Sequence, residues 1–577
     1  LALAAGDALS VDRSAVPATL ALAAGERTAL TIPVRALRPG TAEVSLTLQG
    51  PGDVATEIRQ VVSVRPAALP VMTRLELPLA ANGGAAVIDR ELLAAHYLAG
   101  SRVTIDVSRS DFDVPGLLLS LDLYPFGCAE QTTSRALPLL YLSELEAPPE
   151  LLGEPELRDR IQKAIARVLS YQSAAGSFGL WGPGGGDLWL DAYVTDFLTR
   201  AGERDFAVPK DAMRLALGNL QATLSYTTDV ARDGNGIAYA LYVLARNKRA
   251  SAGDLRYYAD AQLDAFATAL ARAQIAAALS LYGDVERAQR AFASAYRLAN
   301  TDDAVKRIRA DYGSPLRDDA AMLTLAGESR PVSPLVDDMV QLVSQRQSIG
   351  PPRTTQEQAW MLLAARAVRA TTEPLQLAID GVPVEGSLRR NIAGEAIVQN
   401  PVRISNTGPD PVTAVVTTVA APVHPPTAGG NGFTIARSYH DMDGQEVSAD
   451  RVRQNQRLVV VLSIEQTSDL AAQIVVTDLL PAGLEIDNPR LVSSAGLAAF
   501  SWLGETTPAH TEFRDDRFVA AFQASGSNDG ILRVAYVVRA VVPGTYAQPA
   551  AQVEDMYRPD RVARTGSRFM TVEAGGR

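Results

Sequence analysis

The chain is almost without cysteine: Cys128 is the only one in 577 residues, which excludes an intramolecular disulfide. Histidine is nearly as scarce. His96, His424, His440 and His510 are the whole set, read as surface or loop residues, and their spacing matches no zinc pattern. No run of about 18 apolar residues occurs, so no segment reads as a membrane-spanning helix. Basic clusters are missing too: 54 Lys and Arg face 65 Asp and Glu for a net charge of −11, which argues against a nucleic-acid partner. The lack of disulfides leaves the compartment open, since periplasmic and cytosolic proteins alike do without them. The chain starts Leu1-Ala2-Leu3, with neither a Met nor a secretory signal, and reads as part of a longer polypeptide.

What is present suffices for several cores, with hydrophobic residues at 47% and charged residues at an ordinary 21%. The length implies several domains. Residues 1–66 alternate apolar and polar in short runs, such as Arg27 to Val34 and Ala42 to Leu48, divided by turn residues such as Gly50-Pro51-Gly52-Asp53. That pattern predicts a small β-sandwich. Further strands are expected from Val71 to about Val107, Arg102 to Val107 being the clearest. From residue 113 to 372 the chain reads as helix after helix, rich in Ala, Leu and Arg. Examples are Asp187 to Ala201, Ile237 to Asn247 and Leu255 to Leu281, with Asp233-Gly234-Asn235-Gly236 and Ala252-Gly253-Asp254 read as turns between them. Such a series fits an α/α toroid or a helical-hairpin array. Strand patterns return at Ala378 to Val398 and Val412 to Val419, and a last β domain carries Arg457 to Ile464, Ala472 to Asp478 and Ile531 to Val541.

Chemistry concentrates in Tyr124-Pro125-Phe126-Gly127-Cys128-Ala129-Glu130-Gln131-Thr132-Thr133-Ser134. A lone cysteine in a soluble protein is usually a small buried hydrophobe. Cys128 could instead be a free nucleophile, or a thiol joined to something other than sulfur. Pro125 and Gly127 break the preceding structure, and Thr132 to Leu142 reads as a helix apart from Pro138. The cysteine then sits near a helix N-terminus, where the dipole and free N–H groups favour a thiolate. Gln131 lies three residues on, within reach on the same helical face. Attack on its carboxamide with loss of ammonia leaves a thioester bridging the two side chains. Glu130 between them is placed to shuttle protons as ammonia leaves. Tyr124 and Phe126 offer apolar cover against water, though Phe126 is equally an ordinary core residue.

Other chemistries fit less well. No local signature supports a Cys/His protease. Asp187, Asp191 and Asp196 are better read as N-caps and solvated helix faces than as a glycosidase carboxylate pair. Gly182-Pro183-Gly184-Gly185-Gly186 lacks the Lys and Ser/Thr of a phosphate cradle. Trp181 and Trp189 read as packing residues. Neither a cofactor nor a metal is implied.

The stretch around Cys128 resembles the internal thioester motif, Cys-x-Glu-Gln, of α2-macroglobulins and complement proteins, with flanks similar to the bacterial version. The similarity extends over essentially the full length. It includes Tyr171-Gln172, Gly176 to Gly179, Trp181-Gly182, Trp189 to Val194, Thr354 to Trp360, Asp478 to Ile486 and Val553 to Pro559. The resemblance implies a mixed multidomain fold: an α/α toroid thioester domain inserted in a β domain of the CUB type, flanked by macroglobulin-like β-sandwiches. The expected limits are 1–66 for a macroglobulin-like sandwich, 67–112 and 373–426 for the two CUB-type halves, 113–372 for the thioester domain, and 427–577 for a C-terminal, receptor-binding-like sandwich. Cys128 and Gln131 are then the cross-link, Glu130 supports it, and Tyr124 shields it. A shielding partner from another domain is expected outside this chain.

The implied function is a broad-spectrum protease trap, an endopeptidase inhibitor and not an enzyme. Cleavage of a bait region uncovers the thioester, and a lysine of the protease attacks it once. The alternative is an adhesin- or opsonin-like protein that tags surfaces covalently. No histidine lies between residues 113 and 372, where complement proteins that acylate hydroxyls carry one, so primary amines are the expected acceptors. The family further implies a monomer, held to the inner membrane from the periplasmic side by an N-terminal lipid that lies outside this chain.

Overall fold

The computed structural model describes residues 2–50, 55–108, 112–123, 127–145, 154–301, 311–347, 353–367, 375–487, 503–504, 506–525 and 530–575. At the N-terminal end, strands Ala2–Ala5, Gly40–Gln49 and Ala55–Val64 form one antiparallel sheet, and Leu9–Val11 pairs with Val34–Ala36. Their core is small, built on Ala8, Leu9 and Ala42. The expected strand from Arg27 to Val34 does not form; only Val34–Ala36 is extended and paired. Pro33 cannot donate to a ladder, and Leu20, Leu22 and Leu30 are left exposed. Alternation without a neighbouring strand forms no ladder here, and the Pro33 carbonyl, which accepts from the Asp12 N–H, marks where pairing begins.

Two four-stranded sheets follow, and each draws strands from both sides of the helical block. One has the order Val382–Glu385, Gln376–Ile379, Val402–Asn406, Ala85–Ile88; the other Leu388–Ala393, Arg102–Val107, Val412–Ala420, Val71–Leu79. Leu79, Ile88, Val103, Ile105 and Val107 share one core with Leu377, Ile404 and Val416. The helices are therefore an insertion within a single β unit. Ala378 to Val398 is not strand throughout: Gly394–Gln399 is a short helix, and Gly394 is seated too close to Ser101 Oγ to accept a Cβ.

The helical block closes on itself. Helix Leu188–Glu203 packs on Val230–Arg246, that on Ala269–Leu281, then Pro315–Glu328, then Thr355–Ala365, which meets Ala129–Ala136; this last helix packs back on Leu188–Glu203. The ring decides for the toroid over an open hairpin array. Outside it lie Glu154–Leu169, Lys210–Tyr226, Ala252–Ala261, Val285–Ala299 and Val336–Gln347, each against an inner helix. Gly234 and Gly236 are not a turn but lie within Val230–Arg246, which Asp229 caps. A Cβ at Gly236 would stand 3.1 Å from Leu188 Cβ, so the glycine is there for a close helix crossing. Ala252-Gly253-Asp254 likewise opens a helix, capped by Ser251. The single helix expected from Leu255 to Leu281 is two, the second starting at the Thr268 cap. Pro138 ends the Ala129–Ala136 helix and begins a 3-10 turn over Pro138–Glu144.

The C-terminal β unit packs a six-stranded sheet on a four-stranded one. In the first, Ala472–Leu479 sits between Ala551–Asp555 and Arg517–Ala524. Side chains along a strand alternate between faces. Ile474, Val476, Phe518 and Phe522 enter the sandwich core, while Val475, Val519 and Ala521 point out of it and are buried all the same. What buries them is the toroid, at Cys128.

Candidate functional site

Cys128 is the N-cap of the Ala129–Ala136 helix, with extended backbone (φ −68°, ψ 169°). Its Sγ accepts the Gln131 N–H at 3.4 Å, and the Gln131 Oε1 accepts the Cys128 N–H at 3.4 Å. This is a capping box, in which each partner satisfies an otherwise orphaned donor of the other. The usual Ser or Thr is replaced by Cys, so the box brings a sulfur and a carboxamide to the same helix start. Both side chains are fully buried, and Gln131 Nε2 has no hydrogen-bond partner among the described residues. The Ala129 N–H donates to the Leu180 carbonyl at 2.8 Å and Tyr171 OH to the Gly127 carbonyl at 2.5 Å, pinning the turn to the loop before Leu188. Tyr124 and Phe126, expected as shields, lie outside the described residues.

Glu130 is fully buried beside them, with donors converging on its carboxylate. Oε1 accepts from Ser134 Oγ at 2.5 Å, Gln356 Nε2 at 2.7 Å and Thr355 Oγ1 at 3.2 Å. Oε2 accepts from Tyr557 OH at 2.8 Å and Thr355 Oγ1 at 3.2 Å. Ser134 Oγ meets Tyr193 OH at 2.8 Å, and Arg317 Nη1 donates to Gln356 Oε1 at 3.4 Å. Burial raises the Glu130 pKa, against the pull of the Ser134, Gln356, Tyr557 and Thr355 donors. Burial also pushes the Cys128 thiol well above its ordinary range, helped by the Glu130 charge, although the backbone N–H groups of Gln131, Glu130 and Cys128 act the other way. The expectation that the helix N-terminus favours a thiolate is thus overturned in this closed arrangement.

The cover comes from within the chain, which corrects the expectation of a shield outside it. Cys128 shares one buried cluster with Val475, Val519, Ala521 and Met556 of the C-terminal unit, against which Tyr557 and the toroid's own Leu180 and Trp181 pack. The Trp181 ring stacks on His510 at 4.8 Å and 9°. Tyr557 lies 4.9 Å ring to ring from Tyr312, whose hydroxyl donates to Asp187 at 2.7 Å. His510 and His440 lie on strands and not on loops, and burial lowers the His510 pKa.

The three aspartates are structural. Asp187 caps Leu190; Asp191 accepts from Ser177, Phe178 N–H and Asn219; Asp196 pairs with Arg200 and Tyr239. Asp191 and Asp196 are buried, not on solvated faces as expected. Among the described residues no group of three His, Cys, Asp or Glu could hold a metal, and no helix is long and apolar enough to cross a membrane. Sequence reasoning missed Ser134, Thr355, Gln356, Met556 and Tyr557 as site residues, although most lie in the segments Thr354 to Trp360 and Val553 to Pro559 already set apart by their resemblance.

Comparison with known proteins agrees with this layout. Residues 104–226 match the A-macroglobulin TED domain model, and residues 432–560 match the bacterial alpha-2-macroglobulin MG10 domain model. Alpha-2-macroglobulin of Escherichia coli K12 is 32% identical over 94% of this chain and 34% of its own length. That of Xylella fastidiosa Temecula1 is 31% identical over 76% of this chain and 28% of its own. The chain therefore spans about a third of the length of these curated relatives. Salmonella alpha-2-macroglobulin reacted with methylamine superposes with a TM-score of 0.85 at 31% identity, over 99% of this chain and 38% of that one. A native E. coli fragment running from domain MG7 to the C-terminus gives 0.84 at 29% identity, over 99% of this chain and 93% of that one.

Proposed function

The chain belongs to the bacterial α2-macroglobulin family, matching its C-terminal portion, and on that premise we propose that it is the reactive part of a covalent protease trap, with an internal thioester between Cys128 Sγ and the Gln131 acyl carbon. The observation that carries this reading is the buried capping box with its orphaned amide. A buried donor without a partner costs about 1–3 kcal/mol, and Gln131 Nε2 is such a donor. Loss of that nitrogen as ammonia removes the cost, and the sulfur that replaces it belongs to the same capping box. The product carries no charge and suits a dry pocket.

The remaining steps follow from acyl chemistry. A lysine amine attacks the Gln131 carbonyl carbon; a C–N bond forms, the C–S bond breaks, and Cys128 leaves as a thiolate that takes the proton the nitrogen gives up. The result is an amide and one thiol, so each molecule acts once. In the intact protein, cleavage of a bait segment would move the C-terminal unit off Cys128 and admit the protease. The periplasmic, membrane-tethered setting and the monomeric state are part of the same proposal.

The test is the intact mass of the native chain before and after methylamine, with thiol titration alongside. A mass short by one ammonia without a titratable thiol, followed by methylamine uptake and one new thiol, is the expected result. Full sequence mass with a thiol present from the start would sink the proposal.

A further inference from the structure

The two oxygens of Glu130 are held differently. Oε1 is fixed from within the toroid by Ser134, Gln356 and Thr355. Oε2 takes its short bond from Tyr557, which belongs to the C-terminal unit and follows Met556, a residue packed on Cys128. Lifting the C-terminal unit would therefore remove the thiol's cover and the principal donor to Oε2 in one motion, while Oε1 keeps the carboxylate aimed. What would be left is an anchored carboxylate whose Oε2 keeps only the 3.2 Å contact of a Thr355 hydroxyl it shares with Oε1, next to the reacting pair.

We infer that Glu130 Oε2, once released from Tyr557, is the group that receives the attacking lysine and takes its proton. This rests on the thioester reading above and adds to it the element that selects the nucleophile. A lysine arrives as an ammonium, which an anionic oxygen attracts and a neutral hydroxyl's needs do not match. The ammonium gives one proton to Oε2 and becomes a nucleophilic amine. The amine nitrogen bonds to the Gln131 acyl carbon, the C–S bond breaks, and the second nitrogen proton passes to the departing sulfur. Glu130 then returns its proton to solvent, leaving an amide and a thiol. No histidine lies between residues 113 and 372 to serve instead. The titratable groups facing Glu130 are Cys128, Tyr193, Tyr312 and Tyr557, with Arg317 behind Gln356. Of these, only Tyr557 bonds to Oε2 among the described contacts. In the closed form Tyr557 thus acts as a blocking group on the same carboxylate.

The experiment compares Tyr557→Phe, Glu130→Gln and the double variant in the full chain, reading methylamine uptake per unprotonated amine against pH. Intact mass first checks that each carries the thioester. Tyr557→Phe is expected to react about fivefold faster than wild type, the factor of one lost hydrogen bond. Glu130→Gln should be slower by on the order of a hundredfold. The double variant should be as slow as Glu130→Gln, and the rise in rate per unprotonated amine on acidification seen in Tyr557→Phe, the mark of an ammonium giving its proton to a carboxylate, should disappear with it. Equal acceleration by Tyr557→Phe in both backgrounds would overturn the inference, since Tyr557 would then be cover and nothing more. Should Glu130→Gln emerge without a thioester, Tyr557→Phe alone decides: a rate constant per unprotonated amine that rises on acidification supports the inference, and a pH-independent one overturns it. A wild-type chain that lacks the thioester would instead defeat the reading on which all of this rests.

Discussion

At Cys128 two effects of opposite sign meet, and their sizes settle the outcome. A helix N-terminus favours a negative charge by about 0.3–1 kcal/mol, whereas burying a charge away from water costs several. The thiol is at once at the helix start and fully buried, so it is held in its neutral form. Amine selectivity belongs to this scale too: methylamine is expected to be incorporated faster than glycerol, and equal incorporation judged by mass would refute the preference. Glu328 shows the reverse balance. The guanidinium groups of Arg200, Arg246 and Arg366 hold its pKa down, from 4.5 to about 2, despite burial. A carboxylate depressed in the folded state stabilises above its unfolded pKa and loses that contribution as pH falls through its folded one. Glu328→Gln should therefore cost about 3 kcal/mol at neutral pH. The difference from wild type should close between pH 4.5 and about 2, measured as the unfolding midpoint of the helical unit at each pH.

At the scale of elements, residues that look like punctuation turn out to be contact surfaces. Gly236 lets the Val230–Arg246 helix cross against Leu188. Gly236→Leu should destabilise the toroid by about 1–3 kcal/mol through overpacking, read by thermal unfolding; an unchanged midpoint would show that the crossing relaxes freely. Most helices and strands were legible because period 3.6 or 2 is written into each segment: Arg102–Val107 and Ile531–Ala540 fall where the pattern puts them. The Gly-rich starts of helices were not legible, because a glycine that breaks a helix and one that lets two helices touch look alike in sequence. Of the site, Cys128, Glu130 and Gln131 were legible because one turn of helix brings them together. Thr355, Gln356 and Tyr557 were not, because they reach Glu130 from 225, 226 and 427 residues away.

At the scale of the molecule, Cys128 and Gln131 are buried where two units that fold around separate cores meet. Val475 shows the consequence. It points out of its own sandwich and into the buried cluster that holds Cys128, so Val475→Asp should leave the sandwich's stability nearly unchanged while loosening its seat on the toroid. Methylamine uptake is expected to rise about tenfold, the equivalent of ~1.4 kcal/mol of lost cover; uptake at the wild-type rate would mean that this face does not gate access.

The sequence by itself determined the order of β and helical units, the absence of a disulfide within the chain, and the capping turn that brings Cys128 and Gln131 to one helix start. These depend on neighbours in the chain, through periodicity and capping. Only the tertiary structure decided that the helices close into a ring, that the thiol is held neutral, and that Met556 and Tyr557 cover it. Ring closure, desolvation and cover depend on which surfaces meet across hundreds of residues, and strand alternation does not say what will bury the outward face of Ala472–Leu479.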